Sequence, residues 1–235
     1  LKGRSHCPSC THTLAWHELI PLISFTLQKG RCKHCGIHIS WQYPLVEFST
    51  GLLFAVFSVF SNFSITQLFN YFFLCILIVT FVTDLRWNLI YDAVLGAGII
   101  LALLAPLVSV FSSQFSVYND FLSLRDISQS ETITQLLISN YFSIMLAGII
   151  GAGIFALQYI ISRGRWVGSG DIMLGAFLGL ILGFPTILAA LFYTYIFGSL
   201  IALLMMSIGK KKMKDTLPLG CFMALTGILL LLTRS

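Results

Sequence analysis

The sequence predicts an all-α polytopic membrane protein of about seven transmembrane helices, preceded by a small polar module. Three observations predict it. The 235 residues are 57% hydrophobic and only 10% charged, with a mean hydropathy of +0.90, whereas a soluble domain carries about 45–50% apolar and about 25% charged residues. From Pro44 onward the apolar residues fall into long runs, most of them near the roughly 20 residues that cross a bilayer. All five histidines and four of the six cysteines lie within the first 38 residues. Ordinary globular and disordered classes are excluded, the latter by 20 phenylalanines.

Residues 1–43 form the polar module, and residues 44–235 the membrane domain. Cys7-Pro8-Ser9-Cys10 and Cys32-Lys33-His34-Cys35 are two CxxC knuckles separated by 21 residues. Each knuckle presents two thiolates from a tight turn, and two knuckles close a tetrahedron of four sulfurs around zinc. Pro8 and Gly36 suit those turns. Four sulfur ligands leave no open position for a substrate, so the zinc is expected to be structural, folding a module too small to hold a core. His34 or His38 in place of a cysteine is the variant reading. Pairing as thiolate ligands rather than disulfides places the module in a reducing compartment. Residues 1–40 contain no apolar core of a secretory signal peptide.

The expected spans are 45–63, 67–83, 93–111, 135–161, 172–182, 186–208 and 217–232. The run 172–182 is short and glycine-rich and reads as a partial or broken helix. Orientation follows from the cations. Lys2, Arg4, Lys29, Arg31 and Lys33 precede the first span, Arg163 and Arg165 follow the fourth, and Lys210, Lys211, Lys212 and Lys214 follow the sixth. Seven spans put all three groups in the cytoplasm, and the segment 112–134, with Asp120, Asp126 and Glu131 against Arg125, outside as a loop. Topology thus accounts for the net charge of +5, and no nucleic-acid partner is expected, because no basic stripe is interleaved with exposed aromatics.

Nine carboxylates remain to be placed. Glu18, Asp215 and the three of the outer segment lie in polar stretches, and Glu47 one turn into the first span. Asp84 and Asp92 bracket a tight connection, and Asp171 closes Gly168-Ser169-Gly170-Asp171 at the head of an apolar run. On this topology Asp84 and Asp171 lie on one side of the membrane, each at a helix boundary. Taken singly, Asp171 reads equally as a helix cap and Asp84 as the partner of Arg86 or Arg163. Taken together they make a pair that divides acid and base work over one water. Gly168 and Gly170 leave bare backbone beside Asp171, where an extended peptide can approach.

These residues resemble the type IV prepilin peptidases, membrane aspartyl proteases with a GxGD motif. The resemblance runs along nearly the whole chain. It rests on both knuckles, on Ile39-Ser40-Trp41-Gln42-Tyr43-Pro44-Leu45-Val46-Glu47, on the stretch from Asp84 to Asp92, on Gly168 to Asp171, and on Leu217-Pro218-Leu219-Gly220. It implies a protease of the bacterial cytoplasmic membrane that removes the basic leader of prepilins or pseudopilins at the cytoplasmic face. It also implies N-methylation of the new N-terminus with S-adenosylmethionine. Asp84 and Asp171 then match the catalytic pair, Asp92, Gly168 and Gly170 are supporting, and Cys7, Cys10, Cys32 and Cys35 hold zinc. An eighth helix, ahead of the cysteines, belongs to the family pattern. No glycine-rich strand-turn-helix cradle for S-adenosylmethionine is visible, so methyl transfer rests on the resemblance alone. The residues by themselves also admit a proton-coupled transporter or a non-catalytic pilus-assembly adaptor. A transporter would place its carboxylates near the middle of the bilayer.

Overall fold

A computed structural model describes residues 5–60, 65–121, 129–209 and 218–234, and their side chains except at 60, 66, 109–138 and 234. Among the described residues the protein is all-helical, with two isolated β-bridges, His6 to Thr13 and Arg31 to His38, and no longer strand. The chain divides into two compact units, Leu1–Phe60 and Ser61–Ser235.

In the first unit each knuckle is a tight loop closed by backbone hydrogen bonds. The Cys7 N–H donates to the His12 carbonyl and the Thr11 N–H to the Cys7 carbonyl. Likewise the Cys32 N–H donates to Ile37 and the Gly36 N–H to Cys32. Thr11 and Gly36, each just after the second cysteine of its knuckle, both turn left-handed, with φ of 56° and 70°. A 3-10 turn, Trp16–Leu19, and the short α1 (Ile23–Leu27) lie between the knuckles. The Ala15 N–H donates to Glu18 at 2.9 Å and holds that carboxyl below the usual carboxylate range. α2 (Gln42–Phe60) completes the unit. Glu47, on its first turns, accepts the Leu22 N–H at 2.9 Å and so fastens α2 to the head of α1.

The second unit contains α3 (Ile65–Trp87), α4 (Asp92–Phe121), α5 (Gln129–Ser162), α6 (Ser169–Leu182), α7 (Thr186–Ser207) and α8 (Leu219–Arg234). Among the described residues four helices are long and apolar enough to cross a membrane: Gln42–Val59, Gln67–Trp87, Ser139–Ser162 and Thr186–Ser207. Asp92–Val108, Ser169–Leu182 and Leu219–Thr233 are shorter apolar helices. The seven expected segments are therefore seven apolar helices. The boundaries differ most at 112–134, where α4 and α5 continue as helix into the expected outer loop. The cause is chemical: no proline or glycine stands between Pro106 and Gly148 to stop either helix. Residues 122–128 and the run from Lys210 to Lys214 lie outside the described residues.

α6 is the centre of this unit. Its 14 residues, at about 1.5 Å each, reach roughly 21 Å, short of the roughly 30 Å of bilayer hydrocarbon. The predicted short helix is thus a full helix buried by its neighbours rather than a broken span. Leu174, Phe177, Leu178 and Leu182 are all buried. Gly175 and Gly179, one turn apart, meet the backbone of Gly151 and Ala147 on α5, where a β-carbon on either glycine would collide. Small residues at this spacing let two helices approach until their backbones touch, which is how apolar helices associate without a solvent driving force. α7 and α8 are joined differently, by a buried hydrogen bond of 2.8 Å between the Thr194 and Thr226 hydroxyls.

Candidate active site

The two aspartates arrive from opposite helix ends. Asp84 lies in the last turn of α3, which stops at Trp87. The Asn88 N–H then donates to the Asp84 carbonyl at 2.9 Å, and Asn88 takes a left-handed φ of 49°. Asn tolerates that conformation better than most side chains. Asp171 is the third residue of α6. Its Oδ2 reaches back to accept the N–H of Gly168, the helix cap, at 2.9 Å. It is therefore not the cap residue itself, but it supplies the returning half of a capping box.

Both side chains are buried, with 5% of Asp84 and 9% of Asp171 exposed. Asp84 does not rely on an arginine: its Oδ2 accepts the Cys221 N–H at 2.6 Å, while Arg86 lies over the Trp87 ring, 4.9 Å from its centroid. Cys221 stands in the first turn of α8, so Asp84 rests on a helix N-terminus, where free N–H groups and the dipole favour a carboxylate. Gly220 makes the approach possible, because a β-carbon there would lie 2.9 Å from Asp84 Oδ2. Ile90 lies against Gly170, next to Asp171, and against Gly220, whose bare Cα faces the Asp84 carboxylate, so the two aspartates sit at neighbouring helix ends.

The other expected residues fall out as follows. Gly168 caps α6 and Gly170 packs against Ile90. Asp92 opens α4 and is exposed. Gly220, Cys221 and Ile90 were not singled out as site residues. The glycine after Pro218 was a visible signal, but its contact with Asp84, 137 positions away, has no local signature.

In the first unit Cys7, Cys10, Cys32 and Cys35 converge, their sulfurs all within 4.8 Å of one another, and none is in a disulfide. The Cys7 and Cys35 sulfurs are 3.9 Å apart. A tetrahedral zinc with bonds of about 2.3 Å needs sulfurs about 3.8 Å apart, so spacing and donor set fit a four-thiolate metal site. The N–H groups of Cys10 and then Ser9 push the Cys7 thiol down to about 6. At Cys35 the Ile37 N–H acts in the same direction, but burial and the thiols of Cys10, Cys32 and Cys7 outweigh it, and the group is pushed up to about 11. His12 and His34 stack against each other with ring centroids 3.4 Å apart and do not replace a cysteine in the cluster.

Fold and sites together define a polytopic, all-helical membrane protein with a four-cysteine module and a buried aspartate pair at converging helix ends. The model of the Bacterial Peptidase A24 N-terminal domain matches residues 1–61. The Prepilin leader peptidase/N-methyltransferase of Bacillus subtilis (strain 168) is 32% identical over 230 residues, 96% of this chain and 80% of the relative. Its namesake from Klebsiella pneumoniae is 32% identical over 124 residues, 51% of this chain and 54% of its own length. The Type 4 prepilin-like proteins leader peptide-processing enzyme of Escherichia coli O78:H11 is 49% identical over 55 residues, 23% of this chain and 20% of its own. No solved structure matches. The chain belongs to the prepilin leader peptidase/N-methyltransferase family.

Proposed function

We propose that this protein is a membrane aspartyl endopeptidase that removes the basic leader of type IV prepilins or pseudopilins at the cytoplasmic face of the bacterial cytoplasmic membrane. The observation that carries the reading is that Asp84 and Asp171, both buried, sit at neighbouring helix ends that are far apart in sequence.

In this reading the pair holds one proton between its two carboxyl groups and one water between them. The ionised carboxylate takes a proton from water as the oxygen adds to the scissile carbonyl carbon, and the other carboxyl gives its proton to the carbonyl oxygen. The tetrahedral intermediate then collapses: the carboxyl that took the water proton gives it to the leaving amine as the C–N bond breaks, and the other carboxylate recovers a proton from the intermediate's hydroxyl. Water is the nucleophile, so no acyl-enzyme forms. Gly168 leaves bare backbone beside Asp171, Gly170 gives its open face to Ile90, and Asp92 supports the head of α4. Cys7, Cys10, Cys32 and Cys35 hold a structural zinc that folds the first unit. N-methylation of the new N-terminus with S-adenosylmethionine completes the reading. It is supported by the relatives' names alone, and no residues are assigned to that cofactor.

The test is cleavage of a prepilin-like peptide by the detergent-purified chain beside Asp84→Asn and Asp171→Asn. Each substitution is expected to lower the rate by about 10²–10⁴-fold without loss of folded protein. Cleavage at the wild-type rate in either variant refutes the pair. Transfer of labelled methyl to the product tests the second activity separately.

A further inference from the structure

We propose that Ile90 is a positioning residue that sets the spacing of the Asp84–Asp171 pair; this rests on the reading of that pair as catalytic. Between the end of α3 at Trp87 and the start of α4 at Asp92 there are only four residues. The left-handed turn at Asn88 sends this connection back toward the heads of α6 and α8. Leu89 and Tyr91 are 46% and 50% exposed, whereas Ile90 between them turns inward.

Its side chain touches a glycine beside each aspartate. A β-carbon on Gly170, next to Asp171, would lie 2.9 Å from Ile90 Cβ and 3.2 Å from its Cγ2. A β-carbon on Gly220, whose missing side chain makes room for the Asp84 carboxylate, would lie 2.9 Å from Ile90 Cδ1. The branch of the isoleucine therefore rests on the head of α6 and its tip on the head of α8. The width of this one side chain lies between the helix head that carries Asp171 and the helix head that holds Asp84 through the Cys221 N–H. A β-branched residue suits such a spacer, because its χ1 is held to few rotamers. Both glycine surfaces are bare backbone and cannot yield by changing rotamer, and the isoleucine itself is fixed at χ1. Ordinary packing would fix only stability. A spacer also fixes the distance over which the shared water works, and small errors in that distance cost rate rather than binding.

The test measures kcat and KM for prepilin-peptide cleavage by the full chain in detergent, with melting temperature recorded for each variant. Ile90→Ala is expected to lower kcat roughly ten- to hundred-fold while KM stays near wild type. Ile90→Leu, which keeps the volume but moves the branch point, should lower kcat in the same direction, and carries the test if the alanine variant does not fold. The rescue pattern is the sharper readout. Gly220→Ala meets both Asp84 Oδ2 and Ile90 Cδ1, and valine removes only the second clash, so adding Ile90→Val should restore the part of the lost kcat that is due to Ile90. Gly170→Ala collides with Ile90 Cβ, which valine keeps, so the same addition should restore nothing. Wild-type kcat in both Ile90→Ala and Ile90→Leu, or strictly additive effects at Gly220 and Ile90, would overturn the proposal. If Asp171→Asn cleaves normally, the catalytic reading itself falls. If Asp171→Asn is inactive while the Ile90 variants are normal, only the spacer falls.

Discussion

Asp84 and Asp171 meet the same physical problem, a carboxylate inside an apolar body, and each answers it with backbone N–H groups at a helix start. Asp84 borrows the head of α8 through Cys221, and Asp171 uses the head of its own helix through Gly168. Asp92 differs, being exposed in the first turn of α4. There a carboxylate acts on the helix dipole, worth about 0.3–1 kcal/mol. Asp92→Asn is therefore predicted to lower thermal stability slightly and to leave kcat within about three-fold of wild type, the equivalent of under 1 kcal/mol; a loss comparable to that of Asp84→Asn would contradict it. The candidate carboxylates were legible in the sequence, since a carboxylate in an apolar run stands out against its neighbours. Their partners were not. Arg86 was the obvious neighbour for Asp84 by sequence distance, but the N–H that holds it comes from Cys221, a contact that only helix packing creates. Because that donor is backbone, Cys221→Ala is predicted to cleave at near the wild-type rate.

At the scale of elements, the two knuckles repeat one design: CxxC, then a residue in the left-handed region. Gly36 occupies that place without cost, while Thr11, β-branched, sits there at φ 56°. The left-handed conformation costs an L-residue about 1–2 kcal/mol, and glycine forfeits about 0.5–1 kcal/mol to its freedom in the unfolded chain. Thr11→Gly is thus expected to stabilise the first unit by roughly 0.5–1 kcal/mol, and Gly36→Val to destabilise it by a similar amount. Melting of the metal-loaded chain and the rate of metal loss to a chelator measure both; equal effects of the same sign would refute the design. The knuckles were readable because spacing alone dictates them. The full lengths of α4 and α5 were less so, because serine, threonine and asparagine between 112 and 134 read as loop residues. What decides the outcome there is the missing helix breaker. The interior place of α6 was equally hidden, since a short apolar helix and a buried one share a composition.

In the whole molecule, the two kinds of chemistry are kept in different units. All four clustered cysteines belong to Leu1–Phe60 and both candidate aspartates to Ser61–Ser235. The units are also stabilised by different means. Ahead of α2 the first has only short elements, and its cross-links there are backbone turns that a metal would close. The second has α6 enclosed by apolar helices and backbone-to-backbone glycine contacts, which owe nothing to a metal. Chelation should therefore act on one unit only. When metal is stripped from the detergent-solubilised chain, trypsin is predicted to cut rapidly after Lys29, Arg31 and Lys33, because a unit this small lacks a core to hold it folded. Helices α3, α6 and α8, which carry Asp84, Asp171 and Cys221, should survive as protected fragments. Re-addition of zinc before protease should restore protection in the first unit. Uniform digestion of both units on chelation would show that the aspartate site depends on the cysteine cluster for its fold. Protection of both would show that the first unit folds on its turns and α2 alone.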